Sequence, residues 1–146
     1  MPAPKLATVE NLKVPPHSLE AEQAVLGGLL LSSRAWDAVA DVITENDFYR
    51  EDHRLIFRAV AELSDGAKPC DAITVTEWFE SHGQVDQDDG GDYISQLASS
   101  TPSAANVRAY ADIVREKSIL RQLIDVGADI TSGDFSLVVI NSREFL

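Results

Sequence analysis

The sequence predicts an all-α fold, a bundle of about six helices that ends in a long helix and is followed by a tail of different character. Two observations carry this. Apolar residues recur at spacings of three, four and seven over most of the chain, as in Leu19, Val25, Leu26, Leu29 and Leu30. Helix-starting Ser, Thr and Asp residues and helix-ending glycines interrupt that pattern at helix-length intervals. At 146 residues, 45% hydrophobic and 25% charged, the chain has the size and composition of one globular domain.

Residues 1–13 contain two prolines and little apolar periodicity, and read as an arm. The domain proper spans 14–131, and 132–146 form the tail. Pro15 and Pro16 keep the backbone extended before Ser18, whose side chain can cap a first helix running to Leu31, with Glu20 and Glu22 at its positive end. Gly27 and Gly28 lie inside this helix, each at a cost of about 1 kcal/mol relative to alanine. Two readings stand side by side: a tight helix crossing in the core, or a hinge or subunit contact.

A second helix is expected from Arg34 to about Ile43, presenting Trp36, Val39, Ala40 and Ile43. Asn46 and Asp47 mark a turn, after which Phe48 and Tyr49 enter the core. A third helix, from about Glu51 to Ser64, turns Leu55, Ile56, Ala59, Val60 and Leu63 inward and Arg54, Arg58 and Glu62 to solvent. Thr74 and Glu77 have the spacing of a capping box for a fourth helix that Gly83 closes. Val85 to Asp92 reads as an acidic turn, and a short fifth helix carries Tyr93, Ile94, Leu97 and Ala98 up to Thr101 and Pro102. From about Ser103 to Thr131 the helical pattern is continuous, roughly 40 Å at the usual rise per residue, longer than a small core can cover. One end is expected to project or to meet another subunit. In the tail, Phe135 and Leu137 to Ile140 lack helical spacing and on propensity suggest a strand.

The charges bound the function. Twelve Lys and Arg against 24 Asp and Glu leave a net charge of −12, the wrong sign for a domain whose main task is gripping a phosphate backbone. Protein partners are the better expectation, basic ones above all. No glycine precedes a Lys-Ser or Lys-Thr pair, so the phosphate-cradling loop is missing and no ATP site of that kind is expected. His17, His53 and His82 are too dispersed for a metal motif, and Cys70, the lone cysteine, has no partner thiol. Read as a calcium loop from Asp86, the acidic turn places Gly90 fifth and Leu97 twelfth, where a bidentate Glu is required. No metal, cofactor-binding or catalytic residue is assigned. With neither a secretion signal nor a membrane-length apolar run, a cytoplasmic protein is expected.

Three long stretches, VPPHSLEAEQAVLGGLLL (14–31), NDFYREDHRLIFRAV (46–60) and TPSAANVRAYADIVREKSILRQLI (101–124), together resemble the N-terminal domain of the bacterial replicative DNA helicase, the DnaB family. The likeness covers about Leu12 to Ile130. It implies a helical collar on a hexameric ring built from paired N-terminal domains, a trimer of dimers, that binds the C-terminal domain of primase within the primosome during DNA replication. ATP and magnesium would belong to a separate C-terminal motor domain absent from this chain, which is then no enzyme by itself. The family's primase-contact positions fall here at Tyr93 and around Leu123 to Asp129, while Gly27 and Gly28 stand as candidate subunit contacts.

Two departures from the family pattern are visible. One residue, not two, separates Gly91 from Tyr93, and the tail after Ile130 departs from the family's second helical hairpin, as a truncated linker toward the motor domain would. The rival reading is a helical DNA-binding module with ITVTEWFESHG (73–83) as its reading helix, which would expose an aromatic pair and glutamates but no Lys or Arg.

Overall fold

The computed structural model of the chain describes residues 14–84 and 90–132. The expected arm, residues 85–89 of the acidic turn, and the tail from 133 onward lie outside them, so the strand suggested for the tail does too.

Helix α1 (Leu19–Leu31) is the element on which the others pack. It starts where expected: Ser18 is its N-cap and accepts the Ala21 N–H at 3.2 Å. It is more than an amphipathic stripe. Val25 through Leu30 are all buried, because α2 (Ser33–Val39), α3 (Glu51–Asp65), α5 (Gly90–Ser100) and α6 (Val107–Ser132) contact it from different sides. Leu19, placed on the stripe by its spacing, is instead exposed at the first turn.

Helix α2 ends at Val39, short of the expected Ile43. The N–H groups of Val42 and Ile43 both return to the Val39 carbonyl, so the chain turns there, leaving Ala40 outside and folding Ile43 inward. A 3₁₀ turn, Glu45–Asp47, follows and delivers Phe48 into the core, where it meets Phe57 at 5.1 Å between ring centres. Tyr49 is only half-buried and stacks on His17 at 4.1 Å.

Asp47 fastens this turn to α6. Its buried carboxylate accepts the Thr44 N–H at 2.8 Å, Arg115 Nη1 at 2.8 Å and the Ser118 hydroxyl at 2.7 Å. Arg121 adds bonds to the carbonyls of Asp47 and Pro16, tying the start of the described chain to the middle of α6.

Helix α3 buries Ile56, Phe57, Ala59 and Val60. Its outer face is not simply solvated, since Arg58 pairs with Glu45 at 2.8 Å and Glu62 accepts the indole N–H of Trp78. Helix α4 (Ala72–Ser81) begins three residues earlier than the Thr74 box implies. Asp71 is the N-cap: its carboxylate accepts the Thr74 N–H at 2.9 Å while the Thr74 hydroxyl accepts the Asp71 N–H at 2.8 Å, so Thr74 closes the box and Glu77 takes no part. Gly83 ends α4 as expected, at φ +65°, with the Gln84 N–H returning to Phe79 and the Gly83 N–H to Glu80.

Helix α5 begins at Gly90, so Gly90 to Asp92 belong to a helix rather than a turn. A Cβ on Gly91 would lie 3.3 Å from the Thr76 methyl, so α4 and α5 approach closely there. Helix α6 starts at Val107, not Ser103, because the Ser103 side chain accepts the Ala105 N–H and holds a turn ahead of it. The described residues contain six α-helices and no strand, and no helix long and apolar enough to cross a membrane.

Candidate functional site

A buried polar chain runs from α1 through the start of α3 to α5 and ends at Tyr93. Glu22, 1% exposed, projects from α1 to the N-terminus of α3, where its carboxylate accepts the Tyr49 N–H at 2.8 Å and approaches the Arg50 N–H at 3.5 Å. Negative charge from one helix thus serves the unpaired amides and positive end of another, α3 having no side-chain cap of its own. The same carboxylate accepts Nδ1–H of fully buried His53 at 2.7 Å. The other ring nitrogen, Nε2, faces the Tyr93 hydroxyl at 2.6 Å. Gln23 Nε2 donates to the Tyr93 oxygen at 3.3 Å, so no member of the chain lacks a partner.

The ring of Tyr93 is half-buried, and the Arg50 guanidinium lies over it, 5.0 Å from the ring centre. Arg50 is itself paired to Asp52 through Nε at 3.0 Å and Nη2 at 2.5 Å. Burial raises the Tyr93 phenol above its ordinary range, against the opposing pull of the Gln23 hydrogen bond and the Arg50 charge, so the hydroxyl keeps its proton at neutral pH.

The remaining anticipated residues lie elsewhere. Leu123 sits in the second half of α6, 51% exposed, with Leu120 at 38%, Ile124 at 41% and Ile130 at 51% along the same stretch. Asp129 is half-buried near the end of that helix. Both α5 and α6 pack on α1, α5 also on α4 and α6 also on α2 and the 3₁₀ turn, so Tyr93 and Leu123 stand on different helices. Gly27 and Gly28 are buried within the chain: a Cβ on Gly27 would fall 2.6 Å from the Leu97 carbonyl of α5, and one on Gly28 would fall 3.2 Å from a Val107 methyl of α6. Their surroundings are those of an internal helix crossing.

Trp78 and Phe79, expected on the outside of α4 by the DNA-binding alternative, are buried, and the exposed positions of α4 are Ile73, Glu77, Glu80 and Ser81. Among the described residues no cluster of His, Cys, Asp and Glu has the arrangement of a metal site. Sequence reasoning missed Glu22, His53 and Arg50 as neighbours of Tyr93. The available signal was the register of Glu22, which with Val25, Leu26 and Leu29 falls on the apolar side of α1.

Comparison with known proteins agrees with this architecture. Residues 14–116 match the family described as the DnaB-like helicase N terminal domain. The chain is 47% identical over 126 residues to the replicative DNA helicase DnaB of Haemophilus influenzae, covering 86% of this chain and 27% of that protein. It is 40% identical over 124 residues to that of Geobacillus stearothermophilus, covering 85% and 27% respectively. It therefore spans little more than a quarter of the length of these relatives. The crystal structure of the N-terminal domain of DnaB helicase from Mycobacterium tuberculosis superposes with a TM-score of 0.80 at 36% identity, covering 89% of this chain and 96% of that one. On the shared helices and the match over residues 14–116, the chain belongs to the DnaB-like helicase N-terminal domain family.

Proposed function

We propose that this chain is the collar of a cytoplasmic replicative helicase, pairing with copies of itself in a hexamer and binding the C-terminal domain of primase. Unwinding driven by ATP and magnesium falls to a separate motor domain of the parent protein. The observation that carries this reading is the second half of α6, where Leu120, Leu123, Ile124 and Ile130 are exposed on a helix that runs beyond the core. Large apolar side chains concentrated in this way mark a protein-binding surface. Leu123 and Asp129 are assigned to it, and Tyr93 with Arg50 forms a second contact. The net charge of −12 favours protein over nucleic acid as the partner.

The test is the mass of the chain in solution, alone and mixed with a primase C-terminal domain, by sedimentation equilibrium. Self-association or a stoichiometric complex is expected. A monomer that forms no complex at high concentration refutes the reading.

A further inference from the structure

We infer that Glu22 and His53 are positioning residues for Tyr93, holding its hydroxyl inward so that the ring and the Arg50 guanidinium form the surface a partner meets. This rests on the proposed assignment of Tyr93 to primase contact and adds which part of the side chain the contact uses.

A phenol oxygen donates one hydrogen bond and readily accepts another. Here it is engaged by His53 Nε2 at 2.6 Å and accepts from Gln23 Nε2 at 3.3 Å, so a partner seeking the hydroxyl would first have to break an internal bond. His53 cannot follow the tyrosine outward, because the Glu22 carboxylate holds its other nitrogen, and Glu22 is in turn held by the Tyr49 N–H. What remains to offer is the partly exposed ring, with Nη1 and the second N–H of Nη2 of Arg50, since Asp52 takes Nε–H and one Nη2–H. The complementary group is an apolar or aromatic side chain beside a carboxylate or backbone carbonyl.

The experiment is a calorimetric titration of a primase C-terminal domain into the wild-type chain, Tyr93→Phe, His53→Gln and the double variant, at a temperature where circular dichroism shows each folded. Each single variant is expected to weaken binding roughly threefold to tenfold, the scale of one lost hydrogen bond. The double variant should be no weaker than the weaker single, because Tyr93→Phe already removes the bond that His53→Gln breaks. Additive losses overturn the inference, as does a loss in Tyr93→Phe that His53→Gln does not share, which would mean that the partner takes the hydroxyl.

Should His53→Gln fail to fold, Gln23→Ala replaces it, acting on the same oxygen from a half-buried position. If the wild-type chain binds no primase domain, the functional assignment of Tyr93 fails. The aromatic NMR signals of Tyr93 in the free chain then test the positioning separately: a shift toward exposed-tyrosine values in His53→Gln or Gln23→Ala supports it, and unchanged signals overturn it.

Discussion

Replacing Gly27 by alanine adds one methyl group where α1 crosses the end of α5. The new carbon would fall 1.8 Å from Thr101 Oγ1 and 2.6 Å from the Leu97 carbonyl oxygen. The hydroxyl can rotate away, giving up its 2.9 Å bond to the Leu97 carbonyl, a loss of about 1 kcal/mol, but Thr101 Cβ stays 2.8 Å from the new carbon. The carbonyl is backbone and can yield only if α5 shifts on α1, an overpacking cost of about 2 kcal/mol. Alanine returns about 1 kcal/mol through helix propensity. The net is a destabilisation of about 2 kcal/mol, or a Tm lower by about 6 °C in a domain of this size. Gly28→Ala is the internal control: its only tight neighbour is a Val107 methyl at 3.2 Å, which can move, so propensity and crowding nearly cancel. Thermal melts by circular dichroism should place Gly27→Ala well below both wild type and Gly28→Ala. Removing the hydroxyl with Thr101→Ala should recover only part of the loss, since the Leu97 carbonyl stays. A Gly27→Ala protein that melts with wild type would mean that α1 and α5 do not cross as described.

Glu22→Ala should be among the most damaging single changes, costing about 3 kcal/mol or more in urea unfolding, because it strips the acceptor from buried His53 and from the Tyr49 N–H. Leu123→Ser should leave the melting temperature within about 2 °C of wild type, its side chain being half exposed, while reducing self-association or primase binding measured by sedimentation. Burial, and secondarily Asp71, push the Cys70 thiol up to about 11, so at pH 7 it should react with iodoacetamide far more slowly than free cysteine. The raised value also sets a sign for stability. The contribution is complete below the unfolded thiol's ordinary range and lost as pH rises through about 11, so Cys70→Ser should flatten the alkaline limb of a stability-against-pH curve.

How much was legible in the sequence depends on how local each cause is. The Ser18 cap, the closing Gly83 and the apolar face of α3 are decided within a few residues, and they were readable. The early end of α2 and the start of α5 at Gly90 are decided by tertiary packing, by where Ile43 must turn inward and by how near Thr76 stands to Gly91. At α4 the competition was local but close: two cap candidates lay three residues apart, and Asp71 took the position because Thr74 serves it as the reciprocal partner.

The site shows the sharper limit. Tyr93 can be singled out by resemblance, but nothing near it in sequence predicts that its hydroxyl faces inward, because the groups responsible, His53 and Gln23, lie 40 and 70 residues away. The trace they left was a carboxylate at the wrong place. Glu22 looks like a dipole-compensating residue of the first turn, yet its register with Val25 and Leu26 puts it on the face that packs. A charge on that face has to find donors inside the fold. The donors it finds are the Tyr49 N–H, just ahead of α3, and the imidazole that holds Tyr93. Truncating the tyrosine to alanine therefore perturbs more than a contact surface: it removes a half-buried ring and leaves His53 Nε2 without its partner, so a drop in Tm is expected alongside any loss of binding. Tyr93→Phe separates the two effects, because it keeps the ring in the surface and removes only the inward bonds to His53 and Gln23.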